Sequence, residues 1–192
     1  MATTDPRRMT ENAAEEKQFD ERVVHVDRVA RVVKGGRRFR FRALVVIGDH
    51  KNKVGIGSAK GADVTAAITK ATEKAKKTLI TLSLYKGTLP HEVQSKVGGA
   101  NILIKPASPG TGLIAGGVVR TILEVAGVSN ALSKSIGSSN KTNTAYATIE
   151  ALSTLVPAKN WVTSKRTAKV EKTETVEKAP AKPVVKAKKA EK

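Results

Sequence analysis

Apolar and polar positions alternate from Phe39 to Ile47. One side carries Phe39, Phe41, Ala43, Val45 and Ile47; the other carries Arg38, Arg40 and Arg42, then Leu44 and Val46. Alternation with period two predicts a strand whose first face is apolar and whose second begins cationic and ends buried. Upstream, Val23–Val33 is rich in β-branched residues and carries Arg28 and Arg31, with Arg22 just before it. Lys34-Gly35-Gly36-Arg37 joins the two segments, and its glycines permit the positive φ of a hairpin loop. A second turn, Asp49–Lys53, leads to a short strand at Val54–Gly57. The period then lengthens. After Asp63, an N-cap residue type, Val64, Ile68, Ala71, Ala75, Leu79 and Leu82 form one helical stripe, with Lys70, Lys74 and Lys77 on another face. The expectation is a three-stranded antiparallel sheet with one helix laid across it.

From about Gly87 the pattern restarts without repeating the first half. Strands are predicted around Leu89–Gln94 and Asn101–Lys105, followed by a glycine-rich run from Pro109 to Gly117. A helix is predicted over Val118–Ala126, ended by Gly127, and a further strand around Ala131–Ile136. Asn143 is placed to cap a last helix that Pro157 stops. The fold class is therefore α+β, as two small domains over 19–86 and 87–157. The flanks, 1–18 and 158–192, have the composition of disordered tails; the second is almost wholly Lys, Ala, Glu, Thr, Val and Pro.

Charge sharpens this picture. The 192 residues hold 35 Lys and Arg against 17 Asp and Glu, a net charge of +18. Residues 19–86 alone contain 16 basic and six acidic groups, so the excess is concentrated in sequence that folds rather than in a tail. A compact body of this charge calls for a polyanionic partner. No apolar run approaches the roughly 18 residues that span a bilayer, and the polar, mildly acidic opening is unlike a targeting signal, so no membrane partner is expected and the chain reads as cytoplasmic. Cysteine is absent, which excludes disulfides and thiolate metal sites. Aromatic residues make up 3% of the chain, so recognition of phosphates and duplex shape is favoured over stacking of bases.

Other chemistries have weaker support from spacing. Gly110-x-Gly112-x-x-Ala115 satisfies a loosened dinucleotide fingerprint, but Pro106 and Pro109 part it from the preceding strand and no acid follows near 20 residues on. Gly55-Ile56-Gly57-Ser58-Ala59-Lys60-Gly61 lacks the spacing of a phosphate loop; its glycines read as a tight strand end with Lys60 open to a phosphate. His25, His50 and His91 are scattered, and His91-Glu92 lacks a second histidine at ligand spacing. No catalytic residue, metal or cofactor is expected, and the chain is not read as an enzyme. The strong signal is the arginine cluster, because arginine binds phosphate through two parallel hydrogen bonds.

Three motifs add a resemblance. They are Lys34-Gly35-Gly36-Arg37-Arg38-Phe39-Arg40-Phe41 continuing through Gly48-Asp49 to Lys60; Pro106-Ala107-Ser108 through Gly110-Thr111-Gly112 to Ala126-Gly127; and Gly137-Ser138-x-Asn140-x-x-Asn143 to Ala147-Thr148. In this order, over about Phe19 to Leu155, the chain resembles the family of the fifth protein of the bacterial small ribosomal subunit. It departs from that pattern in three places. His50-Lys51-Asn52 stands where Gly-Asn-Gly is usual, Ala59 replaces a glycine, and Asn140-Lys141 replaces an Asn-Pro step.

The resemblance implies a β-β-β-α unit like a double-stranded-RNA-binding domain and a C-terminal β-α-β-α unit with a left-handed crossover. It implies binding to small-subunit ribosomal RNA, support of assembly at the head–body junction and influence on translational accuracy. The implied neighbours are the fourth and eighth small-subunit proteins, with messenger RNA nearby. Charge, loop chemistry and motif together mark Arg22, Arg28, Arg31, Lys34, Gly35, Gly36, Arg37, Arg38, Arg40, Arg42, Lys51, Lys53, Lys60, Asn140 and Asn143 as RNA-binding candidates. Gly112 and Arg120 are the candidate protein-interface residues.

Overall fold

A computed structural model describes residues 19–157 and Asn160; the tails assigned to 1–18 and 158–192 otherwise lie outside the described residues. The first half consists of β1 (Asp20–Val33), β2 (Gly36–Gly48), β3 (Lys53–Gly61), helix α1 (Val64–Lys77) and β4 (Ile80–Thr81). Its sheet runs β1-β2-β3-β4, all antiparallel, so the expected three strands gain a fourth. Leu79 and Leu82, expected on the helical stripe, lie beyond the helix, which ends at Lys77. Leu82 still reaches the core, and its amide donates to the Asn52 carbonyl oxygen.

The hairpin turns through Lys34 and Gly35 alone, with φ +95° at Gly35, and Val33 pairs with Gly36. Both faces of β2 are used as its alternation predicts. Ala43, Val45 and Ile47 pack on Ala67, Ala71 and Ala75 of α1, whereas Leu44 and Val46 enter a second apolar cluster shared with the C-terminal half. Helix and sheet approach at backbone distance. A Cβ on Gly57 would lie 2.0 Å from the Ala71 carbonyl oxygen, and one on Gly55 2.5 Å from that of Ala75. These glycines are thus not a strand end: β3 continues through Lys60 to Gly61, and they sit mid-strand because only glycine and alanine let α1 settle so close. The same closeness leaves Val64 exposed while Ala67 is fully buried. Asp63 occupies the N-cap position, but its carboxylate caps no amide; its carbonyl oxygen accepts from Ala67.

The second half contains β5 (Val93–Val97), β6 (Ala100–Pro106), β7 (Leu113–Ile114), α2 (Gly117–Ala126), β8 (Ala131–Gly137) and α3 (Lys141–Ser153). β5 begins later than expected; Leu89 belongs to the core but not to a strand. The sheet order is β5-β6-β8-β7, with β7 parallel to β8 across α2. Gly127, at φ +86°, closes α2 as expected. The last helix is capped by Asn140 rather than Asn143: the Asn140 carboxamide oxygen accepts from the Thr142 amide at 3.1 Å, and Asn143 lies inside the helix.

One apolar cluster runs through both halves. Leu44, Val46, Val54 and Ile56 from the first sheet meet Val119, Ile122 and Leu123 of α2, and with them Ile102, Ile104 and Leu152. α2 touches β1, β2 and β3 as well as β7, whereas α3 covers β5 and β6. The turn between β2 and β3 abuts the end of α2, where the amides of His50 and Asn52 donate to the carbonyl oxygens of Val125 and Ala126. His50 and Asn52 hold φ of +55° and +83°, conformations in which glycine is at ease and other residues are strained.

Candidate nucleic-acid interface

The β1–β2 ribbon outruns the rest of its sheet. β3 ends at Gly61, opposite Phe41, so residues 36–40 have strand β1 on one side and solvent on the other. Beyond β3, cross-strand pairing decides which side chains share a face. Arg31 lies opposite Arg38, Val29 opposite Arg40 and Asp27 opposite Arg42; Lys60 pairs with Arg42 from β3. Val29, Arg31, Val33, Arg38, Arg40 and Lys60 line a shallow groove of about 240 Å³ on this face.

The cationic surface does not stop at the strand. Arg38, Arg40, Lys60 and Lys70 line the next depression together with Phe39, and Arg40, Lys60, Lys70, Lys74 and Lys77 a third together with Glu73, so the basic face turns the edge of β3 onto α1. The helix lysines therefore join the strand cations. Arg31, Arg38, Arg40, Lys60 and Lys70 are exposed, and no carboxylate pairs with any of them among the described residues. Like charges with no internal partner repel one another, and a row of phosphates relieves that repulsion. The glycines of the Lys34-Gly35-Gly36 turn are wholly exposed at the ribbon tip beside Arg37. A Cβ on either Gly35 or Gly36 would touch nothing within 4 Å. Their role is the positive φ of the turn, +95° and +151°, rather than room for a close neighbour in this chain.

Two candidate arginines are spoken for. Arg42 donates to Asp27 at 2.6 Å and 3.1 Å, and Asp27 takes His25 Nε2 on its other oxygen at 2.6 Å. The Arg42 guanidinium, above all, holds the Asp27 carboxyl below its ordinary range. Arg22 donates to Glu124 on α2 at 2.6 Å and to Asp20 at 3.1 Å. A bulge between Val23 and His25 creates this contact. It shifts the register so that Arg22 faces Val46 and the C-terminal half, while Glu21 faces α1 and accepts from Thr72. Hairpin arithmetic from a two-residue loop identifies Asp27 as the partner of Arg42; nothing in the alternation of residues marks the bulge.

The remaining candidates scatter. Lys51 and Lys53 present exposed side chains from the β2–β3 turn, and their amides both donate to the Asp49 carboxylate. Burial pushes the Asp49 carboxyl up, but the amides of Lys53 and Lys51 outweigh it and hold the carboxyl low. Asn140 is committed to its cap, and the half-buried Asn143 carboxamide lies against Gly98. Lys141, at the first turn of α3, places its ammonium 3.1 Å from His25 Nδ1, tying the C-terminal half to the Asp27–Arg42 pair.

The glycine run adopts a turn rather than a phosphate cradle. Its amides at Gly110 and Gly112 donate to the Asn130 carboxamide oxygen at 3.2 Å and 3.0 Å, which commits them internally. Gly112 holds φ +73° with open space beside it. Arg120, on the exposed side of α2, donates to Glu124 at 2.9 Å; with Arg22 it holds the Glu124 carboxyl below its ordinary range. The far face of the second sheet leaves Ile114, Leu132 and Ile136 exposed among Lys105 and Lys134, an apolar strip that pattern alone did not single out.

Residues 19–83 match the family described as ribosomal protein S5, N-terminal domain, and residues 95–165 match ribosomal protein S5, C-terminal domain. The chain is 50% identical over 149 residues to the small ribosomal subunit protein uS5 of Treponema denticola, covering 78% of this chain and 86% of that protein. It is 49% identical over 144 residues to the protein of the same name from Treponema pallidum, covering 75% and 84% respectively.

Proposed function

The chain belongs to the ribosomal protein S5 family, and from that membership we propose that its arginine–lysine face anchors it to small-subunit ribosomal RNA through phosphates. As a family member it is a structural constituent of the small ribosomal subunit, in the bacterial cytoplasm, and its role is architectural rather than catalytic. The observation that carries the RNA reading is the unbroken basic surface from Arg31, Arg38 and Arg40 through Lys60 to Lys70, with no carboxylate partner among the described residues. A rigid sheet holds these cations in fixed spacing, which lowers the entropy lost when phosphates dock. Arg28, Lys34 and Arg37 add charge elsewhere on the ribbon, and Lys51 and Lys53 add it at the β2–β3 turn. Arg22 and Arg42 act in this reading as braces that hold the ribbon to the body; Asn140 and Asn143 support the start of α3.

The finer role in this reading rests on the family resemblance and on two surfaces of the second half. Gly112 and Arg120 belong to a protein interface, and the exposed strip of Ile114, Leu132 and Ile136 suits a protein neighbour better than water. The neighbours of this reading are the fourth and eighth small-subunit proteins, at the junction of head and body near the path of messenger RNA. From there the protein supports assembly and biases decoding accuracy. Residues 19–86 act as the RNA-gripping domain, 87–157 as the protein-contacting one.

Assembly of small subunits with the triple variant Arg38→Ala, Arg40→Ala, Lys60→Ala tests the anchor. Loss of RNA affinity with an unchanged melting temperature supports it; full affinity would show that the anchor lies elsewhere.

A further inference from the structure

The ribbon has a second face, and it is chemically unlike the first. Arg28 and Phe39 sit diagonally across the strand pair, since Arg28 faces Phe41 and Ala30 faces Phe39. The Arg28 guanidinium carbon lies over the Phe39 ring, 3.8 Å from its centre. Phe39 is nonetheless 46% exposed, and the neighbouring Val32, paired with Arg37, is 80% exposed. Helix α1 packs on this face at the half-buried Phe41 and Val26, and its Ala66 and Lys70 border, with Phe39, the depression at the β2 edge, while Arg28, Ala30 and Val32 are exposed.

An aromatic ring stacked under a guanidinium, left open and ringed by positive charge, is an unusual thing to expose to water. Arginine planes and aromatic rings are the two surfaces on which unpaired bases stack. Arg28 is exposed, with its guanidinium over the Phe39 ring. Resting on the RNA-binding reading above, we propose that Arg28 and Phe39 form a stacking platform for one unpaired nucleobase, with Arg37 beside it for the adjoining phosphate. The base lies on the outer plane of Arg28, so that the guanidinium is held between base and ring. A duplex does not fit this role, because its base faces are already stacked and hidden. The two sides of one ribbon then take different parts of the RNA: phosphates on the side of Arg31, Arg38 and Arg40, a splayed base on the side of Phe39. Charge complementarity selects RNA over an apolar protein surface, since Arg28 and Arg37 have no carboxylate partner among the described residues.

The test compares two probes of equal charge with the full chain. One is a single-stranded oligoriboadenylate of about twelve nucleotides, within the range such sites accommodate; the other is an abasic chain with the same number of phosphates. The wild type is expected to favour the base-bearing probe about tenfold, within what one stacked base contributes. Phe39→Leu removes the ring, and Arg28→Lys keeps the charge while removing the plane. Each is expected to abolish the preference, with the salt dependence of binding unchanged; both positions are exposed, so folding is checked by an unaltered melt. Equal affinity of the wild type for both probes, or a preference that survives both substitutions, overturns the platform while leaving phosphate binding intact. Failure of both probes and of ribosomal RNA to bind overturns the RNA-binding reading itself, and the platform with it.

Discussion

His50 Nδ1 lies 2.9 Å from the backbone carbonyl oxygen of Glu124, across the seam between the two halves of the chain. The other ring nitrogen lies 3.1 Å from the Asp20 carboxylate. The ring thereby bridges Asp20 of β1 and the end of α2. Asp20 also accepts from Arg22, which reaches Glu124, which in turn accepts from Arg120. A chain of alternating charges therefore runs from β1 to the exposed side of α2. His50 stands where the resembled family usually has glycine, and its left-handed φ of +55° is the conformation that such a glycine takes freely.

Replacing His50 separates two effects. His50→Ala keeps the strained backbone and loses both contacts, so it is expected to cost about 1 kcal/mol, discounted from buried values because the ring is half exposed. His50→Gly loses the same contacts but relieves the strain, so its stability is expected to lie closer to wild type. Urea denaturation of both variants checks this; Gly less stable than Ala would contradict the strain argument.

Acid should loosen the seam. Arg120 and Arg22 hold the Glu124 carboxyl below its ordinary 4.5, and Arg42 holds that of Asp27 below its ordinary 3.8. A carboxyl whose folded pKa is lowered contributes stability that is present above the unfolded value and disappears as the pH falls through the folded one. Glu124→Gln is therefore expected to destabilise at neutral pH and to match wild type below the carboxylate range. Melting temperatures of the two proteins from pH 7 downward should converge; a constant gap would mean that charge is not what Glu124 supplies.

Salt should weaken RNA binding steeply. If the exposed cations neutralise about six to ten phosphates, affinity for a small-subunit RNA fragment drops by roughly 10³–10⁵ between 50 and 200 mM salt. A titration by filter binding reads the slope directly, and a flat response would rule out phosphates as the main contact.

Two glycines should fail for different reasons. Gly57→Ala drives a methyl to 2.0 Å from the Ala71 carbonyl oxygen, so α1 must lift from the sheet, at about 3 kcal/mol or more. Gly112→Ala meets nothing within 4 Å and bears only the cost of φ +73°, about 1–2 kcal/mol. Denaturation midpoints should rank them in that order.

Decoding is the functional readout of the proposed interface. Gly112→Arg and Arg120→Leu each alter a surface that, in the proposed reading, holds a neighbouring protein in one of two arrangements, and populations follow the differential stability of the two. Both are expected to raise stop-codon readthrough while subunits still assemble. Wild-type accuracy in both variants would remove this mechanism.

Much of the first sheet was legible because alternation is a local signal. The two faces of Phe39–Ile47, the Gly35 turn and the Gly127 stop each depend on residues a few positions apart, and strand and cap geometry impose those patterns directly. The arginine ridge was legible for the same reason, and so were the family's three motifs. The bulge at Val23–His25 was not. It inserts one residue without a pattern of its own, yet it decides that Arg22 faces α2 and Glu21 faces α1. Nor does sequence reveal that Asn140 rather than Asn143 caps α3, because either side chain suits the position and packing sets where the helix begins. The mid-strand glycines read as a strand end until α1 is laid over them. Sequence alone thus determined the longer strands and helices, though not β4, β7 or the start of β5, and that the first half is cationic. Tertiary structure decided which cations remain exposed and which become braces, because that depends on carboxylates such as Glu124, 102 residues from Arg22, that only folding brings within reach.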